Sequence, residues 1–327
     1  MLTPLAMAVV LWFVIDSLAH ALCVRLRVLP SWLATPTAIG VVIVVAALMV
    51  GLVVSNVSEL ASRGEAYQAR LDAFIAEGHR WAHIGGAPPT VRQILSNLDL
   101  PSVLTAIAEA AQALTAEAVM TLVFLVFMFP AAAAAPNKLD HIFPTRAHRE
   151  RARKVITAIE QATKSYFWVQ MVGSFITSAL VFASLSAVGL NNALYWAVLM
   201  FFLNFIPVIG TIIAIALPGV FALMQFADPL RVLATVLGAG AWPFLIGNFV
   251  MPRLTGRSLN LSPLVVLLAL AFWSTIWGVT GAFLAAPLSV MLMIVLAQFP
   301  ETRALAILMS ADAQPLVAAE GGEDGSG

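Results

Sequence analysis

Seven residues, Asn204-Phe205-Ile206-Pro207-Val208-Ile209-Gly210, interrupt an apolar run that extends from Tyr195 to Phe226. Proline removes a backbone donor and clashes with the preceding turn. Carbonyls freed in this way inside hydrocarbon must find protein or water partners. An asparagine, a proline and a glycine this close together are therefore incompatible with an uninterrupted lipid-facing helix. Membrane proteins keep such breaks where a pathway or a hinge is needed. The stretch predicts an all-α, polytopic integral membrane protein with a broken or re-entrant helix, and it points towards transport.

Composition agrees with a bilayer as the main solvent. Hydrophobic residues make up 61% of the 327 and charged residues 10%, whereas a soluble domain carries about 25% charged residues. The formal net charge is zero and no basic stripe runs along any face, which argues against nucleic acid as a partner. Cys23 is the single cysteine and allows no intrachain disulfide. Residues 4–24 are apolar but lack a basic leader and a small-residue cleavage site, so they read as a span and not as a cleaved signal peptide.

A helix needs about 20 apolar residues to cross the hydrocarbon core. By that measure spans are expected near 4–24, 34–56, 119–136, 167–189, 231–250, 262–280 and 281–299, with the broken segment 193–226 in addition, for about 7–9 in all. The connection 137–166 is rich in Lys and Arg, including Lys138, Arg146, Arg149, Arg151, Arg153, Lys154 and Lys164, and is assigned to the cytoplasm. Residues 57–118 hold four arginines against seven acids, as an outer region should. Arg253 and Arg257 then fall inside only if 193–226 contributes an even number of crossings, as a hairpin or a pair of short spans would.

The expected organisation is two N-terminal spans in 1–56, an extracytoplasmic amphipathic region at 57–118, a span at 119–136, a basic linker helix at 137–166, a transmembrane core at 167–299 and a tail at 300–327. Within 57–118, apolar residues recur at helical spacing in three stripes, broken by Gly85-Gly86 and Pro88-Pro89. They suit helices lying at the membrane surface or packed on neighbouring subunits. Glu320 to Gly327 is acidic and glycine-rich and reads as a disordered end.

Few residues offer chemistry. Asp16 and His20 lie one helical turn apart on one face of the first span. A carboxylate at the bilayer centre costs about 2.5–3.5 kcal/mol on insertion scales, so Asp16 needs water, the protein interior or a partner. Either the pair is a proton- or cation-linked site, or Asp16 orients the helix end at the cytoplasmic interface. His79 and His83 have the spacing of a metal pair but no third ligand nearby, so no metal site and no cofactor is expected. Nucleotide-binding, metalloprotease and hydrolase motifs are absent from the sequence, which leaves an enzymatic reading without a foothold. Gln170, Asn204, Gln225 and Asn248 are uncharged polar residues in or beside spans. Each needs a hydrogen-bond partner when buried, as interhelical glue or as part of a polar route. The small residues Gly278, Gly281, Ala282, Ala285 and Ala286, ahead of Pro287, form rows that permit close helix packing.

These motifs carry a resemblance. Asn204 to Gly210, then Asn248-Phe-Val-Met-Pro252-Arg-Leu-Thr-Gly256 through Pro263, then Trp277-Gly278-Val-Thr-Gly281 through Pro287, resemble the autoinducer-2 exporter family, also known as PerM-like permeases. Order and spacing agree, as does the lead-in Tyr166-Phe-Trp-Val-Gln170; the likeness is sharp over 150–299 and one of layout over 4–136. Members usually have about eight spans, and this chain begins at what would be their second. The resemblance implies a multi-pass transporter of the bacterial inner membrane, homo-oligomeric, exporting autoinducer-2 or a similar small polar solute without ATP hydrolysis. It also leaves open sodium/proton antiport, ascribed to some relatives, while assembly alone would leave a non-transporting scaffold. The expected solute path comprises Asn204, Pro207, Gly210, Asn248, Pro252, Gly256, Gln170 and Gln225, with Asp16 and His20 as the ion-coupling candidates and lipid as the surrounding partner.

Overall fold

The computed structural model describes residues 2–25, 30–62, 117–132, 141–142, 145–251 and 260–312, with isolated positions in 69–90 and at 134 and 253. Most of the expected amphipathic region 57–118 therefore lies outside the described residues, as do Pro252, Gly256, Arg257 and the tail after 312. The described chain is helical throughout, with one isolated antiparallel bridge between Leu261 and Ser310. In order the helices are α1 (Leu2–His20), α2 (Ser31–Ser62), α3 (Glu117–Ala132), α4 (Arg146–Val188), α5 (Ala193–Leu203), α6 (Ile209–Gln225), α7 (Pro229–Leu245), α8 (Pro263–Leu296) and α9 (Arg303–Met309). Single π turns extend α1 over Ala21–Arg25 and α7 over Ile246–Val250. Five helices are long and apolar enough to cross a membrane, within Thr3–Cys23, Trp32–Met49, Arg146–Val188, Pro229–Val250 and Pro263–Leu296; α3, α5 and α6 are shorter apolar helices. The protein is an all-α, multi-pass membrane protein.

Contacts divide the chain into two compact units: Met1–Val41 with Glu117–Val172 and Met251–Gly327, and Val42–Ala116 with Gly173–Val250. In the first unit α1 is wrapped on more than one side, since Ala6, Ala8, Val10, Phe13, Ile15 and Ala19 are all buried. Phe13 stacks on Phe167 of α4, ring centroids 6.3 Å apart, and α1 also packs on α8. The expected boundary between residues 280 and 281 lies beside a break in the structure. α8 consists of two helical arms, 263–277 and 279–296, that meet at Gly278 (φ 60°, ψ −136°). A Cβ on Gly281 would lie 1.8 Å from the carbonyl oxygen of Trp273. Residues eight apart on a straight helix are separated by about 12 Å of rise, so the chain folds back on itself at Gly278. The arm after the turn is largely buried, including Leu284, Ala285, Ala286, Val290 and Met293, whereas Leu264, Leu268 and Phe272 of the other arm are exposed. Small residues let the buried arm approach its neighbours closely.

The same unit is closed by the chain's last described residues. Met293, Ala297 and Ala306 form an apolar cluster with Leu261 and Met309 against it. Beside the cluster, Ser262 N donates to Met309 O (2.9 Å) and Ala311 N to Asn260 O (3.0 Å). The Asn260 amide donates to Asp312 Oδ1 at 2.6 Å.

In the second unit, α4 ends in a glycine-capped turn. Gly189 has φ 82°, and Leu190 N reaches back to Leu185 O at 2.9 Å, the six-to-one bond of a Schellman motif. Gln225 clamps this turn from the end of α6. Its Oε1 accepts from Asn191 N and its Nε2 donates to Gly189 O, both at 2.8 Å. Loss of two such bonds removes about 1–2 kcal/mol, so Gln225→Ala should lower the melting temperature of detergent-purified protein; an unchanged melt would show the clamp to be idle. Helix α7 starts on the side chain of Asp228, which accepts from Leu230 N (2.9 Å), with Pro229 in the first turn, where its missing N–H costs nothing.

Candidate solute path

The site is built where the second unit is least able to be regular. α5 has 11 residues and rises about 16 Å, roughly half of the hydrocarbon thickness of about 30 Å. It is too short to cross. After Leu203 the chain turns through Asn204–Val208 and returns as α6, packed against α5. α5 and α6 are thus two short apolar helices joined by a reversal of the chain. Gly210 makes the reversal feasible: a Cβ there would lie 1.8 Å from the carbonyl oxygen of Leu203.

The turn satisfies most of its own backbone. Asn204 N bonds Met200 O (2.9 Å), Phe205 N bonds Phe202 O (3.2 Å), Ile206 N bonds Leu203 O (2.9 Å) and Gly210 N bonds Ile206 O (3.1 Å). Ile209 N bonds Pro207 O at 2.7 Å, closing a three-residue turn about Val208 (φ 62°, ψ −62°). That conformation is the rare, strained γ-turn, and a β-branched residue at positive φ is an outlier. Such strain persists only where the surroundings enforce it, and it clusters at ligand clamps and switch regions. Proline at 207 donates no hydrogen bond and so fits the position that needs none. The break is thus a tight turn held by its own peptide groups, and polarity is presented by side chains.

Asn204 caps the C-terminus of α5, and its Nδ2 donates to Ser174 Oγ of α4 at 3.0 Å. Ten residues along the same helix, Ser184 Oγ accepts from Trp242 Nε1 of α7 at 2.7 Å. Two serines of α4 therefore hold the α5–α6 turn and the proline-containing helix α7 in register. Close approach is permitted by glycine: a Cβ on Gly238 would stand 3.0 Å from the Ser184 Cβ, and one on Gly219 would stand 3.1 Å from Val236. Around them Val181, Leu185, Met200, Ala214, Phe221 and Ala239 form the apolar core.

Among the described residues, two buried polar atoms of this unit have no hydrogen-bond partner: Ser178 Oγ, one turn after Ser174, and Trp196 Nε1. Buried polar atoms are nearly always paired, by protein or by water. Ser174, Ser178, Ser184 and Trp196 escape a reading of the sequence. The one signal available was the i, i+4 spacing of Ser174 and Ser178, which is common in apolar helices.

The remaining sequence candidates fall elsewhere. Asn248 is exposed on the π turn after Pro243 and donates to Phe244 O of its own helix at 2.8 Å. Gln225 serves the clamp described above. Gln170 is half-buried on α4 in the first unit. Pro252 and Gly256 lie outside the described residues. Also in the first unit, the partner of Asp16 is Lys164 of α4, Nζ to Oδ2 2.8 Å, each side chain about one-third exposed. The contact lacks the alignment of a hydrogen bond, because Oδ2 has no directed donor, so it is an ion pair held by charge. His20 is exposed at the end of α1.

Comparison with known proteins places this architecture. The chain is 26% identical over 289 residues to a "Putative transport protein" of Haemophilus influenzae, covering 86% of this chain and 83% of that protein. It is 34% identical over 172 residues to the AI-2 transport protein TqsA of Escherichia coli K12, covering 51% of this chain and 50% of that protein. A further "Putative transport protein", from Borreliella burgdorferi, is 30% identical over 182 residues, 55% of this chain and 50% of its own length. The matched stretch thus spans half of each of the last two relatives. The family model of AI-2E family transporters matches residues 1–301, and the chain belongs to that family.

Proposed function

We propose that this membrane transporter moves a small, uncharged polar solute of the AI-2 type across the bacterial inner membrane, as a homo-oligomer and by secondary transport, with no catalytic step. The observation that carries the reading is the Asn204–Gly210 turn, where an amide-bearing cap rests on Ser174 and the same unit holds the unmet Ser178 hydroxyl and Trp196 indole N–H. Neutral donors and acceptors suit a neutral hydroxylated solute, since neither sign of charge is stabilised there. Short helices that end inside the bilayer, joined by irregular backbone, follow the logic of discontinuous helices in secondary carriers.

The test is efflux from proteoliposomes loaded with a labelled AI-2-type solute. Asn204→Ala removes the bond to Ser174 and should lower the flux about tenfold, a loss equivalent to one interaction of about 1.4 kcal/mol, while Asn204→Gln restores part of it. Wild-type flux in correctly inserted Asn204→Ala would remove the turn from the path. A second reading, in which transport is coupled to protons or sodium, draws on Asp16, a carboxylate inside a candidate span. Exchange driven by an imposed ion gradient and abolished in Asp16→Asn would favour it.

A further inference from the structure

Two neighbours of α4 in the first unit show where its apolar surroundings end. α1 runs antiparallel to it, since Phe13 meets Phe167 and Asp16 meets Lys164. Continuing that register puts Cys23, the last residue of the candidate span Thr3–Cys23, level with Thr157. At α8, Arg151 Nη2 donates to Gln298 O at 2.7 Å, two residues beyond Leu296, where that helix stops. Both apolar partners therefore run out between residues 151 and 157 of α4. All of these residues belong to the first unit.

The turns at this level carry charge of one sign. Residues 146–157 hold five cations, Arg146, Arg149, Arg151, Arg153 and Lys154, against one anion, Glu150, a net charge of four. Glu150 is taken by Arg146 at 2.9 Å. Arg151 rests on a neutral carbonyl, which leaves its charge in place. After α8, Glu301 and Arg303 cancel. On the apolar side, Glu160 stands one turn past Thr157, and Lys164 is matched by Asp16 at 2.8 Å.

Depth decides what these cations meet. At 1.5 Å of rise per residue, Arg153 and Lys154 stand about 5–6 Å beyond Thr157, Arg151 about 9 Å and Arg149 about 12 Å. The headgroup layer of one leaflet is about 5–8 Å deep, and both side-chain types carry their charge at the tip of a long flexible stem. Their charges fall at the depth of lipid phosphates.

We infer that Arg149, Arg153 and Lys154 form a docking surface for the headgroups of anionic phospholipids, while Arg151 anchors the helix to the chain after α8. Charge selects the partner. A zwitterionic headgroup brings its own ammonium group to a surface already positive, whereas a headgroup of net negative charge does not. Guanidinium groups bind phosphate oxygens in pairs, and a basic cluster directly beside a span is where an anionic leaflet attracts protein. The surface is separate from the Asn204 turn and holds whether or not that turn is the path.

The test titrates phosphatidylglycerol, with phosphatidylcholine as its neutral match, into the full chain in detergent and reads the shift of melting temperature. Phosphatidylglycerol should give the larger, saturable shift, and about 0.5 M salt should shrink it, as for any exposed charges. Arg149→Gln, Arg153→Gln and Lys154→Gln combined should weaken its apparent affinity about hundredfold, at about fivefold per basic residue. Arg149→Lys with Arg153→Lys keeps the charge and should stay within about threefold of wild type, which separates attraction to lipid from the loss of other contacts. Lys154→Gln alone, at an exposed position, should cost about fivefold and remains informative if the triple variant folds poorly. Equal shifts with the two lipids, or an unchanged phosphatidylglycerol affinity in Lys154→Gln, would overturn the surface. So would an equal saturable shift with inorganic phosphate, which would identify a soluble anion, or with polyglutamate, which would identify an acidic protein partner. No flux enters the readout, so inactive vesicles would count against the transport reading alone, and normal flux without lipid preference would count against this surface alone.

Discussion

Gly210→Ala should prevent the second unit from closing. The added methyl would sit 1.8 Å from the carbonyl oxygen of Leu203 and 2.7 Å from its carbon. Both are backbone atoms, so no side chain can swing aside. Relief requires α5 and α6 to splay, which breaks the bonds from Gly210 N to Ile206 O and from Ile206 N to Leu203 O. The cost should exceed about 3 kcal/mol, the upper end of ordinary overpacking, and show as aggregated protein or a steep fall in melting temperature. Gly40→Ala is the control. It lies in α2 with nothing within 4 Å of an added Cβ, and alanine there should gain about 0.5–1 kcal/mol from helix propensity. A Gly210→Ala protein that elutes and melts as wild type would show that the two helices do not meet as described.

Gly281→Ala should be equally severe, for the same reason in the other unit: its methyl would lie 1.8 Å from Trp273 O and 2.5 Å from that carbonyl carbon. The neighbouring Gly278 provides a graded comparison. Its added Cβ would meet open space, but its φ of 60° with ψ −136° is unfavourable for any side chain, so Gly278→Ala should cost about 1–3 kcal/mol of backbone strain without a collision. The ordering to be measured is Gly281→Ala far below Gly278→Ala, with Gly278→Ala modestly below wild type. The reverse order would mean that α8 runs on through residue 278 and that its two arms are not folded together.

The break at 204–210 was legible because proline and glycine act on their own few residues; no distant partner is needed to read a missing N–H. The reversal at 278–281 was harder. The length of the apolar run called for two spans meeting at 280/281, but the two glycines three apart read equally well as a packing surface, and only the proximity of Trp273 O to Gly281 shows how tightly the arms meet. Partners remote in sequence were not legible at all. Asp16 demanded a counter-charge, and the sequence offered His20 one turn away; the structure supplies Lys164 from a helix far along the chain. Gln225 announced itself as a polar residue needing bonds, but the backbone of the turn at 189–191 that consumes them is 34–36 residues earlier. Ser184 carried no warning and Ser174 only its spacing from Ser178, since serine bonds its own helix as readily as a neighbour.

Helix α4 has 43 residues and is about 65 Å long, against a hydrocarbon layer of about 30 Å. Its apolar stretch lies towards its far end, so the leading turns, with Arg146, Arg149, Arg151, Arg153 and Lys154, are more than the apolar layer can hold, and Arg151 ties them to the chain after α8 through Gln298 O at 2.7 Å. A charged, exposed lever of this kind is set by the same helix that carries the Ser174 and Ser184 contacts, so its position and theirs are mechanically linked.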